Sequence, residues 1–192
     1  MAPIELLPNY TIREASPEEF QEYFRENVRV MFPHSVQFNI MATLDNETIE
    51  ATKERRKTYQ GLVIRWFIEC EGAVVGTHIG EELDPTMFYM RNTAIHPDHR
   101  RKGLYRAFLS TIIEHLRPHH YQRITSRHAA TNNAVIIPKL QAGFLISGME
   151  ITPQHGTLVN LSYFYHKQSE DVMRFRTGEK TLPEELRQHL NL

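Results

Sequence analysis

Residues 89–108, YMRNTAIHPDHRRKGLYRAF, join an apolar strand pattern to a basic turn containing glycine, and then to an amphipathic helix. Arg100, Arg101, Lys102 and Gly103 fall in that turn. Cationic side chains and free backbone N–H groups therefore meet at a helix N-terminus, where the positive end of the helix dipole adds to them, an arrangement suited to phosphate. Gly103 lets the backbone approach a ligand closely. A basic turn before a helix is also a common form of solvated charge, so its meaning depends on what surrounds it.

Downstream, Leu104, Phe108, Leu109, Ile112, Ile113 and Leu116 recur at helical spacing and form one apolar stripe that must pack on a sheet, and Pro118 stops the helix. Upstream, residues 62–70 and 73–80 are β-rich runs separated by Glu71 and Gly72, a tight hairpin, and the next strand is 87–95. A short strand at 10–13 leads to Ser16 as a helix cap, with Pro17 at the first helical position and Glu18 and Glu19 in the first turn. That helix is expected to run to about Val30, and a second, opened by Thr43 or Asp45, covers ETIEATKERRK, with residues 31–39 as a loop between them. Residues 122–128 read as a strand, 132–141 as a helix, and 144–152 with 157–165 as a final antiparallel pair. This order predicts a mixed α/β (α+β) layer architecture.

The chain has 192 residues and a formal net charge of −1, so one domain with a sizeable core is expected and no global field favours nucleic acid or an anionic membrane. A single cysteine, Cys70, excludes an internal disulfide framework; in the run GLVIRWFIEC it reads as a core or pairing residue. Neither a secretion signal nor a run of about 18 apolar residues is present, so a soluble, cytoplasmic location is expected. TGEK at 177–180 matches a zinc-finger linker, but one cysteine cannot supply such fingers, and no metal is expected.

Further on, TNNAVIIPKLQAGF at 131–144 sets asparagines at a helix start and Gly143-Phe144 at its end. With the strand ending in IHP at 95–97 and the turn at 100–103, this order resembles the GNAT superfamily of N-acetyltransferases; Arg100, Gly103, Asn132, Gly143 and Phe144 match its pattern. The resemblance spans residues 10–166, preceded by an extension (1–9) and followed by a polar tail (167–192) with a short helix after Pro183. It implies a single-domain fold with a mixed, mostly antiparallel sheet of about six to seven strands flanked by helices. It also implies transfer of an acetyl group from acetyl-CoA to an amino group by direct attack in a ternary complex. The backbone of Arg101, Lys102, Gly103, Leu104 and Tyr105, with Arg100, would then hold the pyrophosphate, Ile95 would pair with the pantetheine arm, and Asn132 would open the helix that closes the groove.

The same resemblance directs attention to four residues for the chemistry. Tyr89 and Arg91 occupy strand positions where relatives place a base or acceptor contacts, yet a phenol ordinarily titrates near about 10 and a guanidinium cannot act as a base. His128, and with it His78, is the nearest alternative base by topology. Lys139 stands where relatives often carry the tyrosine that protonates the leaving thiolate; it would either stabilise the thiolate by charge or, as lysines commonly do, reach into solvent. Tyr105 is a second candidate for that acid, and also a residue that could narrow the groove. Arg91 would favour an acceptor bearing a carboxylate or phosphate, unless a bulge turns it outward or Glu81 or Glu82 neutralises it.

Two other readings compete. One is a module of the same fold that holds CoA without efficient chemistry. The other is a nucleotide or nucleic-acid binder using the Arg-Arg-Lys turn, against which the near-neutral charge argues. The acceptor is not legible; by resemblance it meets residues 32–44 and 152–156, and the last strands could form a homodimer.

Overall fold

The computed structural model describes residues 2–33, 43–58, 60–179 and 181–187, with the side chains of residues 55 and 56 outside that description. Its strands are β1 (Ile4–Leu7), β2 (Tyr10–Glu14), β3 (Val63–Cys70), β4 (Ala73–Asp84), β5 (Met87–Ile95), β6 (Arg123–Ala129), β7 (Leu145–Thr152) and β8 (Gly156–Phe164). Its helices are α1 (Pro17–Met31), α2 (Asn46–Lys57), α3 (Leu104–Leu116), α4 (Asn133–Gln141), α5 (Lys167–Arg176) and α6 (Glu184–Arg187). The strands form one sheet in the order β1-β2-β3-β4-β5-β6-β8-β7.

Local chemistry explains most boundaries. Ser16 Oγ accepts the Glu19 N–H at 3.1 Å and Pro17 takes the first helical position, which starts α1. Asp45 does the same for α2, accepting from the Thr48 N–H at 2.7 Å. Glu71 and Gly72 both have positive φ, 49° and 83°, the signature of a two-residue turn whose twist matches the β3-β4 hairpin.

The α3 stripe is buried throughout, from Leu104 at 1% exposure to Leu116 at 0%, and packs with Trp66, Phe88, Met90 and Ile124 on one face of the sheet. Each such side chain contributes about 2 kcal/mol of transfer free energy. The opposite face is covered by α1, where Phe20 stacks on Phe67.

The sheet has eight strands, one more than the largest number expected. The added strand is β1, inside the stretch read as an extension, and it returns through Asn9 (φ 69°) to pair with β2. β4 continues to Asp84, beyond the expected end at Gly80, because Glu81, Glu82 and Asp84 keep pairing with β5. Helix α5 was not foreseen; it is polar and held by Arg174 and Lys167 bonding to Glu170 and Asp171, not by an apolar stripe. No helix among the described residues is long and apolar enough to cross a membrane.

All pairings are antiparallel except β5 with β6, which is parallel and short: Met87 to Arg123, Phe88 to Ile124 and Tyr89 to Thr125. Beyond Tyr89 and Thr125 the two strands run on to Ile95 and Ala129 without pairing to each other. The middle of the sheet therefore opens into a wedge. β5 leads through a short 3-10 helix, Pro97–His99, to the turn before α3, and α4 follows β6.

Candidate active site

The turn at 100–103 presents donors. Gly103 caps α3 in a left-handed conformation (φ 82°), no side chain caps the helix, and a Cβ on Gly103 would meet nothing within 4 Å. Arg101 is also left-handed (φ 63°), a conformation that costs a non-glycine residue free energy and points to a turn shaped for a purpose. The N–H groups of residues 101–105 find no acceptor among the described residues, as expected for the first turn of a helix without a side-chain cap. Arg101 and Lys102 are exposed beside them.

Arg100 is placed differently from its neighbours. Its Nε donates to the Ile95 carbonyl and a terminal nitrogen donates to the Met31 carbonyl, each at 2.8 Å, so the guanidinium ties the turn to the ends of β5 and α1 and is not turned toward the open donors. At Ile95, the residue expected to pair with the pantetheine arm, the carbonyl accepts from Arg100. Tyr105 packs against Phe108 (ring centroids 6.3 Å apart) and the main core. Burial pushes its phenol above the ordinary value, which makes it a reluctant proton donor.

Across the wedge, Asn132 caps α4 through its backbone carbonyl, which accepts from Val135 and Ile136, while its exposed side chain makes no capping bond. The far end of α4 is a Schellman motif: Gly143 adopts φ 94°, Phe144 N–H donates to the Lys139 carbonyl and Gly143 N–H to the Leu140 carbonyl. This explains the Gly-Phe pair. Pro138 lies inside the helix, one residue before Lys139.

Lys139 does not reach into solvent. It is 1% exposed, its Nζ lies 3.3 Å from Met90 Sδ and 4.2 Å from the centroid of the Phe144 ring. The helix end turns the side chain under Phe144 toward the sheet, where a solvent-reaching pose is closed to it. Met90 is the first β5 residue past the last pair with β6. Burial lowers the amine from 10.5 to about 7.

Two histidines share this side. His78, fully buried on β4, bonds Thr93 Oγ1 through Nδ1 at 2.8 Å, and its Nε2 has no partner among the described residues. His128 on β6 shares a hydrogen bond with Ser126 Oγ at 3.0 Å. Burial first, and then the charge of Lys139, lowers both to about 3, so both are neutral near pH 7 and poor bases for an ammonium acceptor.

Tyr89 alternates with Phe88 and Met90 and so faces the α1 side. Its hydroxyl accepts from Arg127 Nε at 3.2 Å, the Arg127 guanidinium lies 4.9 Å from its ring centroid, and Arg127 pairs with Glu150 at 2.9 Å. Arg91 sits where the β4-β5 register slips, between the pairs Ile79 to Asn92 and Gly80 to Met90. That bulge turns it to Glu81, with which it forms an ion pair. A free cation at 91 is therefore absent, and the preference for an anionic acceptor that rested on it loses its support. Arg127, Glu150 and Met90 were not picked out from sequence; only the register that brings β6, β8 and β7 together shows them, although period-two alternation does group residue 127 with 125. Among the described residues no cluster of three or more His, Cys, Asp or Glu could hold a metal ion.

Similar architecture occurs in solved structures. The Salmonella typhimurium protein yncA, with its cofactor acetyl-CoA, aligns over 83% of this chain and 95% of its own with a TM-score of 0.60 and 19% identity. An Elizabethkingia anophelis GNAT family acetyltransferase with acetyl-CoA bound aligns over 82% and 99% with a TM-score of 0.59 and 11% identity. The ribosomal-protein-S5-alanine acetyltransferase from Vibrio fischeri aligns over 87% and 98% with a TM-score of 0.62 and 13% identity. At these identities the likeness is one of fold. A search of curated proteins returns no match. The family model described as Acetyltransferase (GNAT) family matches residues 12–143, which takes in the parted strands, the donor turn and α4 together, and the chain belongs to that family.

Proposed function

We propose that this protein is an acetyl-CoA-dependent N-acetyltransferase acting on an amine. The observation that carries the reading is the wedge between β5 and β6 together with the turn between β5 and α3, whose backbone donors at residues 101–105 are free among the described residues. The open space around Gly103 fits a pyrophosphate, which a Cβ there would approach. Arg101 and Lys102 add positive charge, and Asn132 offers an unspent amide from the other wall.

The α1 face of the wedge would receive the acceptor. An aliphatic amine arrives protonated at neutral pH and must lose a proton before attack. Glu81 is the cross-strand partner of Tyr89, shares its face and is half-buried. It is the carboxylate placed to take that proton, directly or through water. Tyr89, held by Arg127, positions the acceptor, and a β5 backbone N–H past Tyr89 polarises the acetyl carbonyl. His128, on the opposite face and neutral, takes no proton in this scheme.

Isothermal titration with acetyl-CoA and CoA, beside a thiol-release assay over amines, amino acids and peptides, tests the reading. Binding with release for one acceptor class supports it. A folded protein that binds neither ligand refutes it.

A further inference from the structure

The bulge in β5 has a second effect. Tyr89 stands opposite Glu81 and Asn92 opposite Ile79, and Ile79 and Glu81 lie two apart on β4, so all four share the face that α1 covers. Tyr89 and Asn92 are three apart, a spacing that puts side chains on opposite faces of a regular strand. The extra residue, Arg91, removes that mismatch and brings the Asn92 amide round to the side of Tyr89 and Glu81. Asn92 is half-buried, and its side chain has no partner among the described residues.

The neighbouring polar groups are engaged. Thr125 Oγ1 donates to the Leu161 carbonyl at 3.2 Å, and Arg91 and Arg127 are paired with Glu81 and Glu150. Arg127 Nε donates to the Tyr89 oxygen, which leaves the proton of the phenol without an acceptor among the described residues. Beside the Glu81 carboxylate this face therefore offers two neutral donors, the Tyr89 O–H and the Asn92 amide. Donors left without partners favour a ligand that supplies the missing acceptor atom and reject an analogue that lacks it.

We infer that Tyr89 and Asn92 read an uncharged carbonyl on the carbon next to the one bearing the acceptor's amine, so that the acceptor is an α-amino amide, the chemistry of a peptide's first residue, and not a simple alkylamine. This rests on the transferase reading above. The ammonium meets Glu81 as it gives up its proton, and the adjacent carbonyl oxygen receives the phenol and amide hydrogens. A carboxylate in the same place gains no more than the carbonyl, because the two guanidiniums flanking Tyr89 already have their anions.

The test is acetyl transfer to three acceptors of similar shape, alaninamide, alanine and 2-aminobutane, with kcat and KM corrected to the neutral fraction of each amine. In the wild type, kcat/KM for alaninamide should exceed that for either other acceptor by about tenfold or more, chiefly through KM. Tyr89→Phe and Asn92→Ala should each draw the ratio of alaninamide to 2-aminobutane toward one. Because the ratio compares two acceptors on one variant, a general loss of activity cancels. Equal rates with alaninamide and 2-aminobutane in the wild type would overturn the inference, whether or not the variants fold. Alanine as the fastest acceptor would overturn it too, and would give recognition to a cation such as Arg65, which stands opposite Ile79 on β3. A preference kept intact by either variant would strike that residue from the site. Transfer to other amines but not to alaninamide would refute the carbonyl alone, whereas no transfer to any amine would remove the transferase reading itself.

Discussion

The two faces of the wedge handle charge in opposite ways. On the α1 side two cations have their anions: Arg91 meets Glu81, and Arg127 meets Glu150 while resting on Tyr89. On the α4 side Lys139 is buried against sulfur and an aromatic ring, with two neutral histidines near it and, among the described residues, no carboxylate bonded to it. A paired, half-exposed surface tolerates substitution and adapts to an acceptor. An unpaired buried base sets protonation and is sensitive to what occupies it. The contrast is between charges shared among several partnered groups and one amine held in an apolar surround.

The largest expected effect removes the turn that serves both faces. Gly103→Val places a β-branched residue at φ 82° and a side chain where phosphate would sit. Affinity for CoA should fall by about a thousandfold, roughly 4 kcal/mol, while circular dichroism stays native. A folded variant with unchanged affinity would deny the turn its role.

Next comes the cost of the α4 side. The Lys139 amine titrates near about 7 in the folded protein against 10.5 ordinarily. Between those values the unfolded chain binds more protons, so stability should rise from pH about 7 to about 10 and lie flat below that window as far as this group is concerned. His78 and His128, lowered from 6.5 to about 3, add a further loss of stability as pH falls between those values. Lys139→Met should be more stable than the wild type by about 3 kcal/mol near pH 7, and the gap should close toward pH 10. Urea titrations at two pH values check this, and a constant gap would mean that the amine is not neutralised by burial.

The α1 side should respond less. Glu81→Gln is expected to lower turnover about tenfold to a hundredfold with CoA affinity unchanged, and activity should recover partly at high pH, where the acceptor arrives neutral. A pH profile matching the wild type's would exclude Glu81 as the proton acceptor. Arg91→Met should change activity to the same extent for anionic and neutral acceptors, because its charge is spent on Glu81 and acts only through that carboxylate. A selective loss with anionic acceptors would restore Arg91 as a specificity residue and break the contrast between the faces.

Much of the fold was legible because its signals are local. The α3 stripe, the Ser16 cap and the Glu71-Gly72 turn each depend on residues a few positions apart, and each appears where the pattern puts it. The donor turn could be read from Arg101 to Tyr105 for the same reason. What could not be read depends on register. The bulge that turns Arg91 to Glu81 arises from how β4 and β5 slip past each other, and the Tyr89, Arg127 and Glu150 group needs three strands in register. For Lys139 the sequence left two poses open, because a lysine near a helix end is usually solvated; Gly143 signals the Schellman turn, but only the folded sheet shows that the turn sets Phe144 over the amine.

Arg100 carries a consequence of its own. One guanidinium grips the carbonyl of Ile95 at the end of β5 and that of Met31 at the end of α1, sixty-nine positions away in sequence. The donor turn and the last turn of α1 therefore share a strut, and rigidity gained at one is felt at the other. Amide exchange should register this: the Phe32 N–H, bonded to the Val28 carbonyl at 2.9 Å, should exchange more slowly once the turn at 100–103 is loaded with CoA. Loading of the donor turn is therefore expected to be felt at the far end of α1, a part of the chain that makes no covalent connection to it for sixty-nine residues.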